Sequence, residues 1–570
     1  MHSDEIRKRF LQFFERRGHT IVPSSPLVPE ADPSVLFTTA GMQQFKPYYT
    51  APENAEKDFH SKNTTSSQKC VRTGDIDEVG DNTHLTFFEM LGNFSFGGYG
   101  KREAITYGHD FITKELGLQI SYVTFFKGND SVPRDSESEA IWKELGVADI
   151  REDGTDVFWG PTGDSGPCGP TTEIYCKNAA GQDVEIWNIV FNEYFSDGPR
   201  EKLDKGEATL KKLPTFGIDT GMGLERLLAT VQKKESVFET DVFEEIFSKI
   251  NEFTTIDDAK AKRIVADHVR TAVFMIADGV TPSNEGRGYV LRRLLRRAIR
   301  FADVLKMKHG SLFWIAKTVV DKYAGVYQNL TTQSERIGKE IDHEESKFRE
   351  TLERGMKEFE KGTDPFVLFT TYGFPIELTL ELAKENGKEI DLNDFESKMR
   401  EHQKLSQTAS AGMFKGGLAN HEPETIKLHT AHHLVLAALQ EVLGKSVKQR
   451  GSNITEERLR IDFAFDRKMT DEEKQKVEAL VNDWIARDLA VVRKEMSKDE
   501  AEKLGAEMEF GAKYGDTVSV YFIQDENGNH ISKEFCGGPH VEHTGVLGHF
   551  KLQKEEASSQ GVRRIKAVLQ

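Results

Sequence analysis

The chain has 570 residues, 38% hydrophobic and 30% charged, with 76 Lys and Arg against 93 Asp and Glu for a net charge of −17. That length and apolar content suit three or four domains with their own cores and exclude a disordered chain, and the acidic total excludes indiscriminate polyanion binding while allowing a local basic patch. Four cysteines (Cys70, Cys168, Cys176 and Cys536) are too few for a disulfide scaffold, and no apolar run approaches the roughly 18–20 residues that cross a bilayer, so a cytoplasmic-type protein without membrane contact is expected.

Residues 5–17 carry Ile6, Phe10, Leu11, Phe13 and Phe14 at helical spacing, an amphipathic helix rather than a signal peptide. From about 35 to 240, short β-rich runs punctuated by glycine (85–91, 185–191 and 216–219) predict a mixed domain around one largely antiparallel sheet. From 241 to 405 the periodicity is helical. Residues 406–422 read as a glycine-rich linker, and 423–570 return to mixed structure with strands at 459–465 and 518–523. The fold class expected is α+β multidomain, with domains at 1–240, 241–405 and 423–570.

Gly217-Ile218-Asp219-Thr220-Gly221-Met222-Gly223-Leu224-Glu225-Arg226 runs from a strand into a helix. Gly221 and Gly223 let the backbone approach a ligand, the helix N-terminus favours an anion, and Arg226 can stack on a base or pair with phosphate. Alone, the motif is as readily only a tight turn. Upstream, residues 67–72 and 86–97 read as a hairpin across an acidic loop, 74–83. Arg72 on its first strand and Phe87 and Phe88 on its second offer charge for phosphate and π-faces for a base.

With Phe158-Trp159-Gly160 and residues 163–170 and 185–191, these segments resemble the class II aminoacyl-tRNA synthetases, and among them the alanyl-tRNA synthetase family, along nearly the whole chain. The resemblance implies an antiparallel six-stranded sheet holding ATP and Mg2+, activation of L-alanine, and transfer to the acceptor end of tRNA(Ala). It implies catalytic roles for Arg72 (α-phosphate), Asp219 (the alanine ammonium) and Arg226 (adenine and γ-phosphate). It adds His84, Phe88, Trp159, Ile186, Trp187, Asn188 and Gly223 around ATP, and Trp159, Asn188 and Val190 around alanine. Trp159 and Trp187 remain open to a reading as ordinary core aromatics. Leu85 stands where the family usually has a second histidine.

Between Arg287 and Arg300, the side chains of Arg292, Arg293, Arg296, Arg297 and Arg300 fall within one helical arc, opposite Leu291, Leu294, Leu295, Ala298 and Ile299. Phosphate contact and internal ion pairs are both open. The resemblance makes this the acceptor-stem helix, with Asn284, Arg287, Arg292, Arg293, Arg296 and Arg297 against tRNA. Gly286 and Thr370 stand where the family has an asparagine and an aspartate, so weaker wobble-pair discrimination is expected.

His429 and His433 are spaced i, i+4, and Cys536 and His540 follow about a hundred residues later, a four-ligand N/S set that suits Zn2+. Thr430 follows His429, so the glutamate of a zinc-protease helix is absent. His432 reads as a surface or packing residue. The resemblance makes this an editing centre for mischarged Ser- or Gly-tRNA(Ala), with Gln449 on the substrate side and Pro539 replacing a threonine. The family's carboxy-terminal oligomerisation and tRNA-elbow module is not seen before Gln570, so a monomer is expected. The alternative, a trans-editing or regulatory tRNA-binding protein with a decayed ligase site, rests only on Leu85 and Thr370.

Overall fold

The spacing of apolar residues at the amino terminus becomes helix α1 (Ser3–Glu15) in the computed structural model, with Ile6, Phe10, Phe13 and Phe14 buried along one face. The structure describes residues 1–29, 34–154, 157–400, 418, 420, 422–507, 517–525, 527–559 and 561–570. Helix α1 packs on a nine-stranded sheet built from β1 (Thr20–Ile21), β2 (Asn63–Val71), β3 (Phe87–Phe96), β4 (Ile120–Phe126), β5 (Ile150–Asp153), β6 (Phe158–Trp159), β7 (Gly166–Lys177), β8 (Asp183–Ser196) and β9 (Leu210–Gly223). The order is β1-β2-β3-β9-β8-β7-β4-β5, with β6 beside β7. Only the outer pairs β1/β2 and β4/β5 are parallel. The sheet is thus antiparallel where expected but wider than six strands, because short strands extend its edges.

The helical segment is fused to this sheet rather than separate from it at 240/241, and Met1–Ile390 form one compact unit. After α2 (Leu224–Val231), helix α3 (Ala259–Ala277) stacks Phe274 on Phe87 of β3 at 4.0 Å. Its fully buried Arg270 pairs with Glu225 at 2.9 Å, and Lys69 of β2 pairs with Asp278 at 2.7 Å. Buried charges cannot be separated without large cost, which welds helices to sheet. Helices α4 (Gly286–Val304), α5 (Ser311–Tyr323), α6 (Ser334–Glu360) and α7 (Ile376–Glu385) complete the unit.

The second unit, Asp391–Gln570, has its own core. Helices α8 (Pro423–Leu443) and α9 (Asp471–Ala486) accompany a sheet of β10 (Gln449–Ile454), β11 (Leu459–Ala464), β15 (Phe550–Ser559) and β16 (Val562–Leu569) in the order β10-β11-β16-β15. A second sheet comprises β12 (Ala490–Ser497), β13 (Thr517–Gln524) and β14 (His530–Phe535). Of the expected linker, only Leu418, Asn420 and Glu422 lie within the described residues. Leu418 is buried against this core and bridges Ile454, and Asn420 accepts hydrogen bonds from Thr425 and the Glu422 amide at the start of α8. No helix among the described residues is long and apolar enough to cross a membrane.

Candidate active site and metal centre

A cavity of about 460 Å³ opens between the β2/β3 hairpin and the junction of β9 with α2. Arg72, one residue past β2, lies over the Phe88 ring at 5.0 Å. On the opposite wall Arg226, in the first turn of α2, meets Glu185 at 3.3 Å. Asp219 lines the same cavity farther along β9, opposite Phe94 of β3, 4% exposed and without a side-chain partner among the described residues; burial pushes its carboxyl up to about 8. Gly223 needs no special backbone, with φ of −65°, and a Cβ there would meet nothing within 4 Å. The glycine leaves room that the fold itself does not require.

Alternation along β8 from Ile186 onward, and a bulge at 185–187 that adds Glu185 to the same side, decide which of its residues reach the cavity. Ile186, Asn188 and Val190 line it, while Trp187, Ile189 and Phe191 face the core. The expected ATP contact of Trp187 is therefore corrected: its indole packs against Phe10, Phe14 and Phe111 and does not line the cavity. Trp187 lies opposite Ile174 beside a bulge at 185–187 and is turned into the core. Trp159, His84 and Phe88 do line the cavity, as does Leu85. His84 is already engaged, its Nδ1 2.6 Å from Asp81 and its Nε2 3.0 Å from Glu78, so a nucleotide contact would have to displace a carboxylate.

Sequence reasoning missed Glu173, Tyr175 and Met90. Glu173 accepts from Asn188 Nδ2 at 3.1 Å and from Tyr175 at 2.9 Å; burial and the nearby Glu185 push its carboxyl up to about 7. That contact leaves Asn188 Oδ1 buried and unpartnered. Glu173 and Tyr175 stand at i, i+2 on β7, a spacing that puts them on one face but cannot say which face meets a ligand. Among the described residues the site thus offers an unpaired carboxylate and an unpaired amide oxygen to a cation, in one cavity with two guanidiniums suited to phosphate.

The ionised Asp219 is the form that captures an ammonium. Because its folded-state pKa is about 8, the free site is protonated at lower pH, and ammonium binding must expel that proton. The apparent KM for an amino-acid substrate is expected to fall toward tenfold per pH unit between pH 6 and 8, then level off. Steady-state kinetics across that range check this, and Asp219→Asn should flatten the profile.

The arginine stripe is corrected for two of its members. Arg297 and Arg300 are 3% and 4% exposed. Arg297 pairs with Glu381 of α7 at 2.9 Å, donates to the Ile76 carbonyl at 2.8 Å and meets His268 at 2.8 Å; Arg300 pairs with Glu381 and Glu385. Arg292 and Arg296 share Glu344 of α6, and Arg293 pairs with Asp77. Every member has a carboxylate partner from a sequence-distant element, and for the buried Arg297 and Arg300 the internal-pair reading holds. Asn284 accepts from Arg292, Arg287 donates to the Leu36 carbonyl, and Thr370 spends its hydroxyl on the Phe366 carbonyl at 2.7 Å. Arg297→Ala removes a buried guanidinium that ties Glu381, His268 and the Ile76 carbonyl together, leaving Glu381 to Arg300 alone, and is expected to destabilise the first unit by about 2–3 kcal/mol, against about 1 or less for Arg293→Gln. Chemical denaturation compares them.

In the second unit the four predicted ligands converge: one donor atom each from His429, His433, Cys536 and His540 lies within 4.8 Å of the others. Cys536 Sγ is 3.4 Å from Nε2 of both His429 and His540. Two outer nitrogens are held by neighbours, His429 Nδ1 by the Pro539 carbonyl at 2.9 Å and His540 Nδ1 by Thr430 at 3.1 Å, while His433 Nδ1 lies 3.7 Å from Glu534, beyond hydrogen-bond distance. Pro539 thus still serves through its carbonyl. Burial holds His433 and His540 well below the usual imidazole range, hence neutral as metal binding requires. The three-nitrogen, one-sulfur donor set fits Zn2+. His432 is buried, a packing residue rather than a surface one. Gln449 begins β10 opposite Phe463.

Comparison with known proteins follows the same lines. The family model of the class II (A) tRNA synthetases matches residues 5–443, and that of the threonyl and alanyl tRNA synthetase second additional domain matches 518–566. The chain is 46% identical to the alanine–tRNA ligase of Treponema denticola, covering 100% of this chain and 99% of that protein. It is 44% identical to that of Borrelia hermsii, covering 100% of both. It is 35% identical to that of Dehalococcoides mccartyi, covering 99% of this chain and 80% of that protein.

Proposed function

The chain belongs to the alanine–tRNA ligases, a class II aminoacyl-tRNA synthetase family, and we propose from this that its cavity activates L-alanine with ATP and charges tRNA(Ala) in the cytoplasm. The observation that carries the proposal is Asp219, a buried carboxylate without a side-chain partner among the described residues, lining one cavity with Arg72 and Arg226. The alanine ammonium is received by Asp219 and Asn188 Oδ1. An oxygen of its carboxylate bonds to the α-phosphorus, the bond from that phosphorus to the bridging oxygen breaks, and pyrophosphate leaves. The tRNA terminal ribose hydroxyl then takes the acyl group and AMP departs. Neither step needs a protein nucleophile; positioning and neutralised phosphate charge lower the barrier.

Magnesium would be held at Glu173 and Glu185, whose crowded charges suit a divalent cation, and would supply further neutralisation of phosphate. On α4, Arg292, Arg293 and Arg296 keep side chains 21% exposed and are proposed, beside Asn284 and Arg287, to meet the acceptor stem. In the second unit, zinc held by His429, His433, Cys536 and His540 would act as a Lewis acid toward the ester of mischarged Ser- or Gly-tRNA(Ala), with Gln449 on the substrate side. Such a site answers a physical need, because a small apolar pocket discriminates weakly among glycine, alanine and serine. The test is ATP–pyrophosphate exchange: alanine-dependent exchange is expected, and its absence with pure, folded protein would overturn the ligase reading.

A further inference from the structure

The sheet β10-β11-β16-β15 turns one face to the core, with Leu459, Ile461, Phe463, Ile565 and Ala567 fully buried. Strand alternation puts Arg460 and Asp462 of β11, and Arg564 and Lys566 of β16, on the other face. The register then fixes the neighbours. Arg460 stands opposite Lys566, and Lys566 opposite Lys554 of β15, one row of three cations across three adjacent strands. The next row alternates in sign, Asp462 opposite Arg564 opposite Glu556, and is satisfied internally, with Arg564 on Asp462 at 2.7 and 2.8 Å.

The cationic row is not satisfied in this way. Lys554 and Lys566 share the single Glu556, at 2.5 and 3.2 Å. Arg460 has no ion pair among the described residues, and its Nε is buried without a hydrogen-bond partner, as is Nη1 of Arg458 at the start of the same strand. Like charges set directly across strands are destabilising, and unpaired buried donors add to that cost. Along α4, by contrast, every arginine of the stripe is tied to a carboxylate. At the usual spacing between strands, the row spans about 10 Å, roughly the reach of two or three consecutive phosphates on one strand.

We propose that this face binds the phosphate backbone of an RNA helix, namely the acceptor arm of the aminoacyl-tRNA presented for hydrolysis. The inference rests on the deacylase half of the proposed function. Its occupant is chosen by charge: a local cationic row on a chain of net charge −17 selects a polyanion, and the sequence-independent backbone is what three aligned point charges can address.

The test uses the full zinc-loaded chain carrying Arg460→Gln and Lys566→Gln together, beside Arg460→Lys and Lys551→Gln. Lys551 is an exposed cation tied to Glu478 and lies outside the row. In tRNA binding measured from 50 to 300 mM salt, the double variant should lose about one unit of log–log slope per charge removed. Its KM for hydrolysis of seryl-tRNA should rise about tenfold with kcat and alanine-dependent pyrophosphate exchange unchanged. Arg460→Lys should restore most of the slope, and Lys551→Gln should alter neither quantity. An unchanged slope in the double variant overturns the proposal, as does a drop in kcat with KM constant. Failure of the wild type to hydrolyse seryl-tRNA would instead count against the editing function, while the salt slope still judges the RNA surface.

Discussion

Asp219→Asn is expected to cut kcat/KM for alanine in pyrophosphate exchange by about 10²–10³-fold, mostly through KM, with KM for ATP changed by less than about threefold. The substitution is nearly isosteric, so the cavity keeps its shape, but the ammonium loses the carboxylate charge of its proposed partner, an interaction of roughly 3–4 kcal/mol. The stability effect runs the other way. The folded-state carboxyl titrates near 8, above its ordinary 3.8, so its ionised form is held at a cost that grows as pH rises between those values. Asparagine removes that cost. The variant's melting temperature should equal or exceed the wild type's, and the gap should be larger at pH 8 than at pH 5. A large loss of both activity and stability would instead mean that Asp219 is a structural residue.

Cys536→Ser should abolish stoichiometric zinc and lower deacylation of seryl-tRNA at least about 10²-fold, while leaving pyrophosphate exchange intact. Cys536 is the only ligand of the four that binds as an anion, and a serine hydroxyl does not deprotonate to replace a thiolate. Metal binding also contributes folding free energy, so the second unit should melt earlier and lose the shift that zinc otherwise confers. His432→Ala is the control. Among the described residues its ring nitrogens have no hydrogen-bond partner and it is not one of the four converging ligands, so the variant should keep one zinc per chain. Elemental analysis of the purified variants, alongside both assays, separates these outcomes.

Much of this site was legible in the chain because its parts are local. The strand-to-helix turn carrying Asp219, Gly223 and Arg226 needs only a few residues of context, and the paired histidine and cysteine-histidine spacings are set by a helix turn and a short loop. What stayed hidden depends on partners that spacing does not reveal. Trp187 turns into the core beside a bulge in β8, and neither the bulge nor the covered face of that strand can be known before its pairing with β7 and β9. Arg297 and Arg300 looked like an exposed stripe because Glu381 and Glu385 lie more than eighty residues away. Glu173 could not be chosen among many acids until Asn188 was seen to donate to it. Equally hidden were the buried pairs Arg270–Glu225 and Lys69–Asp278, which join the helical segment to the sheet within one compact unit.

The most direct measurement is a crystal structure with a non-hydrolysable alanyl-adenylate analogue bound. The account predicts its ammonium within hydrogen-bond distance of Asp219 and Asn188 Oδ1, its phosphate surrogate against Arg72, and its adenine at Arg226. An analogue seated with its ammonium on any other acid, or bound outside the β2/β3 and β9 walls, would contradict it.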